Sequence, residues 1–245
     1  MWKKILIGLK ALGFLVLLAT LSVFVQIWSH MQIGEGIANS TIKFENIIDE
    51  EVGSVLFAGD STVFGTGASE PRFSTSGLFA SDYPMYEVRN LSKNGMKLGE
   101  FADMLDSDDG RYDLVVMQIG ANDVLRLHEF QNIENDAIRA VEAAKRKSDK
   151  IIWLAVGNVG ATRFFPWPVS NFYDYWSRKA RDVFLRTAQK EGVYYIDLYR
   201  KKGDEEFNPT GEDIYARDGL HLNDYGYSLW YKEIKRVVEE KGLIE

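Results

Sequence analysis

Apolar and polar positions divide this 245-residue chain into three stretches of different character. Ala11–Trp28 runs without a charge and is apolar on every side, as a helix surrounded by lipid is. Residues 31–52 mix polar and apolar positions and read as a connector. From residue 53 onward, short apolar runs alternate with stretches of helical spacing. Ser54–Ala58, Tyr86–Leu91, Leu114–Ile119, Ile151–Val156 and Val193–Leu198 each suit a strand, and several are apolar almost throughout, as strands covered on both faces are. Ile133, Ala137, Val141 and Ala144 recur every three or four residues, as do Trp176, Ala180 and Phe184, then Trp230, Ile234 and Val238. The alternation predicts βαβ units with right-handed crossovers, hence a three-layer α/β/α domain of about five parallel strands. Any site then belongs at the carboxyl ends of the strands, in the loops after Ala58, Leu91, Ile119, Val156 and Leu198. The expected division is a membrane segment at 1–30, a connector at 31–52 and one domain at 53–245.

Charge sharpens the reading of the first stretch. Lys3, Lys4 and Lys10 are the only charges in residues 1–30. Eighteen uncharged residues reach the lower edge of what spans a bilayer core of roughly 30 Å, and Ile5–Leu9 extend the run if Lys10 snorkels. Trp2 and Trp28 bracket the segment where amphipathic rings favour the interfaces, so residues 5–29 are expected to be the membrane contact. Lysines before the span and none soon after predict the N-terminus inside and the bulk of the chain on the extracytoplasmic side. The alternative is a cleaved signal peptide. The apolar run is longer than a signal core, and Gly36–Ala38 is a poor cleavage site.

The net charge is −7, so residues 31–245 carry −10. A surface this acidic disfavours phosphate backbones, and no basic stripe reverses it, so no nucleic-acid partner is expected. Cysteine is absent, which excludes disulfides, thiolate metal sites and a cysteine nucleophile. With three histidines, His30, His128 and His221, little scope remains for a metal site, and neither a metal nor another cofactor is expected.

Four short motifs fall at the expected strand ends or before the last helix. Gly59-Asp60-Ser61-Thr62 follows the first strand, where a serine on a tight strand-to-helix turn can project its hydroxyl into the crevice. Seen alone, such a serine is as well explained as a helix cap. Asn94-Gly95 follows the second strand, where a glycine lets backbone approach a ligand closely, or simply forms a turn. Gly120-Ala121-Asn122-Asp123 follows the third, and the Asn122 amide could face a developing oxyanion or cap the next helix. Asp218-Gly219-Leu220-His221 precedes the last helix. Its spacing lets Asp218 accept the Nδ1 proton of His221 and leaves Nε2 for Ser61, while Asn223 or Asp224 caps that helix.

Together, and in this order, the motifs resemble those of the SGNH-hydrolase superfamily, also called the GDSL esterase/lipase family. Its four signature residues match Ser61, Gly95, Asn122 and His221, over about Ser54 to Val238. Thr62 stands where many members have leucine, and Leu222 where proline is frequent. The resemblance implies a flavodoxin-like sheet, a Ser61–His221–Asp218 triad working through an acyl-enzyme, and an oxyanion hole of the Ser61 and Gly95 N–H groups with the Asn122 side chain. Asp60 and Asp123 are expected to brace turns, and His128 to lie at the surface.

Thr162–Trp176 packs seven aromatics and two prolines into the stretch after the fourth strand. It is expected to overhang the site as a loop, with Phe164, Phe165, Trp167, Tyr173 and Trp176 clasping a sugar ring or an acyl chain, or packing the loop onto the domain. The substrate class expected is a carboxylic ester of an acetylated glycan or a lipid. An O-acyltransferase of envelope glycans carries the same triad, and a non-catalytic glycan-binding module would carry the same fold.

Overall fold

Five strands form where the apolar runs lie: β1 (Gly53–Gly59), β2 (Tyr86–Ser92), β3 (Leu114–Gln118), β4 (Ile151–Leu154) and β5 (Tyr194–Ile196). In the computed structural model, which describes residues 2–48, 51–155, 157–201 and 208–244, they make one sheet in the order β2-β1-β3-β4-β5. Every pairing is parallel. Val156, at the end of the expected fourth strand, lies outside the described residues. The described helices are α1 (Trp2–Ser40), α2 (Ser61–Phe64), α3 (Thr75–Asp82), α4 (Leu98–Ser107), α5 (Ala121–Leu125), α6 (Phe130–Lys145), α7 (Val169–Glu191) and α8 (Asp224–Lys241).

Because successive strand residues face opposite sides, each strand feeds two cores. Leu56, Ala58, Val115, Met117 and Trp153 meet Phe101 and Leu105 of α4, Ile133, Ala137 and Val141 of α6, and Ala180 and Phe184 of α7. Val55, Phe57, Leu114, Val116, Ile152 and Leu154 meet Phe79 of α3 and Ile234 and Val238 of α8. The sheet is thus covered on both sides, as the three-layer α/β/α reading requires.

Two boundaries differ from the sequence expectation. Helix α1 does not stop near residue 30 but runs through Ser40, so the first ten residues of the expected connector are helical. A 39-residue helix is about 58 Å long, and its apolar part is long enough to cross a membrane. The second difference is in the aromatic stretch, which is irregular only through Pro168, because α7 begins at Val169. With Pro168 fixing the approach, Val169, Tyr173, Trp176, Ala180 and Phe184 share one face at helical spacing, and that face packs onto the core.

The reversal of strand order at β1, with β2 on one side of it and β3 on the other, opens a crevice at the carboxyl ends. The backbones are clamped there: Asp60 N–H donates to the Gln118 carbonyl at 3.1 Å, and Lys93 N–H to the Gly59 carbonyl at 3.1 Å. Only a glycine fits this clamp at position 59, since a Cβ would sit 2.0 Å from the Gln118 carbonyl oxygen. Gly59→Ala is expected to lose about 3 kcal/mol of stability. Denaturant unfolding of the full chain in detergent checks this, and an unchanged midpoint would contradict it.

Candidate functional site

The turn after β1 is shaped by the buried carboxylate of Asp60. It caps α2, its Oδ1 accepting from the Thr62 N–H at 3.0 Å and from the Thr62 hydroxyl at 2.9 Å. Its Oδ2 accepts from the Asn122 side-chain amide at 3.4 Å. Asp60 therefore links the first and third motifs, turning Asn122 at the head of α5 toward Ser61. Burial raises the Asp60 carboxyl from 3.8 to about 6, against the opposing pull of its Thr62 hydrogen bonds. The other half of the pair expected to brace turns, Asp123, accepts from Leu98 N–H at the start of α4 at 3.1 Å and bonds the His128 ring at 3.2 Å.

Backbone donors converge on the same space. Among the described residues, neither the Ser61 nor the Gly95 N–H has a hydrogen-bond partner. At φ 77° Gly95 holds a left-handed conformation that a side chain would strain. Asn94 is fixed by the Thr66 hydroxyl, which donates to its Oδ1 at 2.7 Å.

The last motif closes on itself. Asp218 Oδ1 accepts from the N–H groups of Leu220 at 3.0 Å and His221 at 3.1 Å, while Oδ2 accepts from His221 Nδ1 at 2.5 Å. Gly219, at φ 72°, permits the turn. Burial by itself would raise the Asp218 carboxyl. The His221 bond, the His221 charge and the two N–H donors outweigh it and hold the carboxyl below its ordinary value. Asn223, of the two capping residues considered, caps α8 through the Gly226 N–H at 2.9 Å. The loop is drawn against the Ser61 turn where the Gly67 backbone lies against the Leu222 carbonyl, at a position with no room for a Cβ. Asp224 adds two further bonds, from Ser69 N–H at 2.7 Å and Ser69 Oγ at 2.6 Å.

Ser61, Gly95, Asn122, Asp218 and His221 all line one cavity of about 960 Å³. Among the described residues no hydrogen bond joins Ser61 Oγ to His221, although both line the cavity. Of the five aromatics expected at the substrate, Phe164 lines the cavity. Phe165, Tyr173 and Trp176 pack against the core beside α7, and Trp167 points to solvent. His128 is half-buried rather than fully at the surface, held between Asp123 and Asp136, whose nearest carboxylate oxygen is 4.0 Å from its Nδ1.

Among the cavity residues that the motifs did not signal are six from α1: His30, Met31, Gln32, Gly34, Glu35 and Ala38. An apolar span hides which of its faces will meet a domain, because hydrophobicity all round carries no stripe. Gly34 lies so close to Asp218 that a Cβ there would be 2.9 Å from Oδ2.

A sequence profile of the GDSL-like lipase/acylhydrolase family matches residues 57–229. No curated protein matches the sequence. Among solved structures, a member of the lipolytic G-D-S-L family from Veillonella parvula superposes with a TM-score of 0.62 at 16% identity, covering 75% of this chain and 97% of its own. The acetyl xylan esterase AlAXEase gives 0.58 at 20% identity, over 76% and 99% of the two chains. The psychrotrophic esterase EstA from Pseudoalteromonas sp. gives 0.57 at 16% identity, over 78% and 98%. At these identities the likeness is one of fold.

The raised Asp60 carboxyl has a consequence for stability. Its folded value lies above its unfolded one, so its contribution is fully present below pH 3.8 and lost as pH rises through about 6. A rise of this size corresponds to about 3 kcal/mol. Asp60→Asn cannot ionise, so between pH 4 and pH 8 its stability relative to wild type should improve by about 2 kcal/mol, most of that amount. Denaturation midpoints at the two pH values measure the change, and a constant difference would refute the buried ionisation.

Proposed function

The chain belongs to the GDSL-like lipase/acylhydrolase family, and on that premise we propose that it is a serine esterase tethered to a membrane by α1. The observation that carries this reading is the convergence of Ser61, the Asp218–His221 pair, two backbone N–H groups without a partner among the described residues and the Asn122 amide on one cavity.

The chemistry follows from the roles these groups are placed to take. Ser61 Oγ attacks the ester carbonyl while His221 Nε2 takes its proton. Asp218 holds the His221 Nδ1 proton, which fixes the tautomer and stabilises the imidazolium that forms. The depressed Asp218 carboxyl supports this role, since it stays ionised throughout the working range. Charge developing on the carbonyl oxygen is met by the Ser61 and Gly95 N–H groups and by the Asn122 proton that Asp60 leaves free. His221 then returns its proton to the leaving alcohol. Water, deprotonated by the same imidazole, releases the acyl group. Ser61 and His221 are drawn into hydrogen-bond contact by the bound ester, as catalytic pairs that stand apart in free enzymes often are.

The domain reading is residues 53–245 for the hydrolase, with α1 as the anchor. The lysines before the span and their absence soon after it support an extracytoplasmic domain.

Hydrolysis of p-nitrophenyl acetate and butyrate by the full chain in detergent tests the reading. Ser61→Ala should abolish turnover above background. Asn122→Ala should lower kcat by about 10²–10³ with little change in KM, because the amide acts on the transition state rather than on the bound ester. A Ser61→Ala variant as active as wild type would overturn the assignment.

A further inference from the structure

The helix that anchors this chain is also a wall of its cavity. Along α1 every described residue from Trp2 to Leu21 is exposed, and shielding begins with Val23. It continues at Ile27, His30, Ile33, Gly34, Ile37 and Ala38, a repeat of three and four that marks one face of a helix packed on a neighbour. Ile27 packs against the core cluster that contains Phe164 and Phe165. Yet Ile27 belongs to the last turn of the uncharged span, so the domain touches the helix at the depth where the bilayer ends.

Three further observations point the same way. The α1 residues lining the cavity, His30 to Ala38, lie about 3–15 Å beyond Trp28 along the axis. Lipid headgroups occupy the near part of that zone. Next to it, rings run in contact from His30 through Phe164, Phe165 and Tyr173 to Phe172. The outer end of this chain is open: Trp167 is 75% exposed, Phe172 45% and Tyr175 46%. Arg178 and Lys179 both lie over the Tyr175 ring. Aromatics beside cations are the chemistry of a membrane interface. Finally, His30 Nδ1 is buried in the α1 wall with no hydrogen-bond partner among the described residues, a polar atom left for whatever fills the cavity.

We propose that the cavity takes its substrate from the bilayer that holds α1: an ester carried by an amphiphile whose apolar part stays in the membrane and whose ester group lies at headgroup depth. Phe172 and Tyr175 rest on the lipid surface and set the height of the cavity above it. The proposal deepens the esterase reading and rests on it.

The full chain in phosphatidylcholine vesicles provides the test, with p-nitrophenyl palmitate dissolved in the bilayer and p-nitrophenyl butyrate in the water. A seven-residue helical insertion after Trp28 keeps Val and Ile at the phases of Val23 and Ile27, with Glu, Lys and Ala elsewhere. It preserves the cavity wall and lifts the domain by about 10 Å. The butyrate rate should hold while the palmitate rate falls about tenfold or more, because the lift exceeds the headgroup layer. Equal palmitate rates before and after insertion would overturn the proposal. So would a parallel loss of both rates, since the insertion leaves every cavity contact in place.

The chain has no cysteine, so a fluorophore on Phe172→Cys reads docking without any chemistry. Brominated lipid should quench it in the native frame and not after insertion. Absent quenching in the native frame would overturn the docking surface. Wild type inactive on both esters, with the fluorophore quenched, would sink the esterase reading and the substrate class with it, while leaving the surface in place.

Discussion

A carboxylate taken out of water must be given donors, and Asp218 finds all of its own within one four-residue turn. Two backbone N–H groups and the His221 ring satisfy it, and together they offset the cost of burial. The arrangement is local, so it does not depend on where the rest of the chain goes. It does dictate what can stand next to it. On the α1 side it faces Gly34, where any side chain would reach the Oδ2 atom that holds His221. The geometry of the imidazole and the close approach of α1 therefore meet at one buried carboxylate.

The remaining parts of the site are brought to Asp218 by close approaches of backbone to backbone. Gly59 lets β1 leave the sheet against Gln118, and Gly67 lets the Ser61 turn meet the loop bearing His221. Between them sits Asp60, a second buried carboxylate, whose acceptors are shared between Thr62 and Asn122. Its burial is less fully offset, which is why its carboxyl is raised while that of Asp218 is lowered. The contrast comes from donors and charge together: three strong donors and the adjoining His221 charge at Asp218, two strong donors with a longer third and the like charge of Asp123 at Asp60.

The layered fold was legible because buried parallel strands are written as apolar runs and their helices as a separate period. The motif residues were legible because three of the motifs follow strands, where the crevice must be, and the fourth directly precedes the last helix. What could not be read were partners chosen in three dimensions. Nothing in the spacing of Asp60 and Asn122 signals their contact. The aromatics of 162–176 looked like a loop because Pro166 and Pro168 interrupt them. Beyond Pro168 the spacing of Tyr173 and Trp176 is already that of α7, and it turns those rings inward. The stripe on α1 was hidden for a different reason: where every position is apolar, the face that meets protein looks like the face that meets lipid.

That stripe also bears on whether the N-terminal segment is a leader or an anchor. A leader is disposable, so nothing after cleavage should depend on it. Cleavage at Gly36–Ala38 would strip His30, Met31, Gln32, Gly34 and Glu35 from the cavity. It would also open to water the side of Asp218 that Gly34 covers, and leave Ile27 no longer packed on the aromatic cluster. Water reaching Asp218 would compete for its oxygens and weaken the hold on His221 that burial concentrates. A chain built this way gains from keeping its first helix, because the part of α1 beyond the apolar span covers the carboxylate behind the histidine.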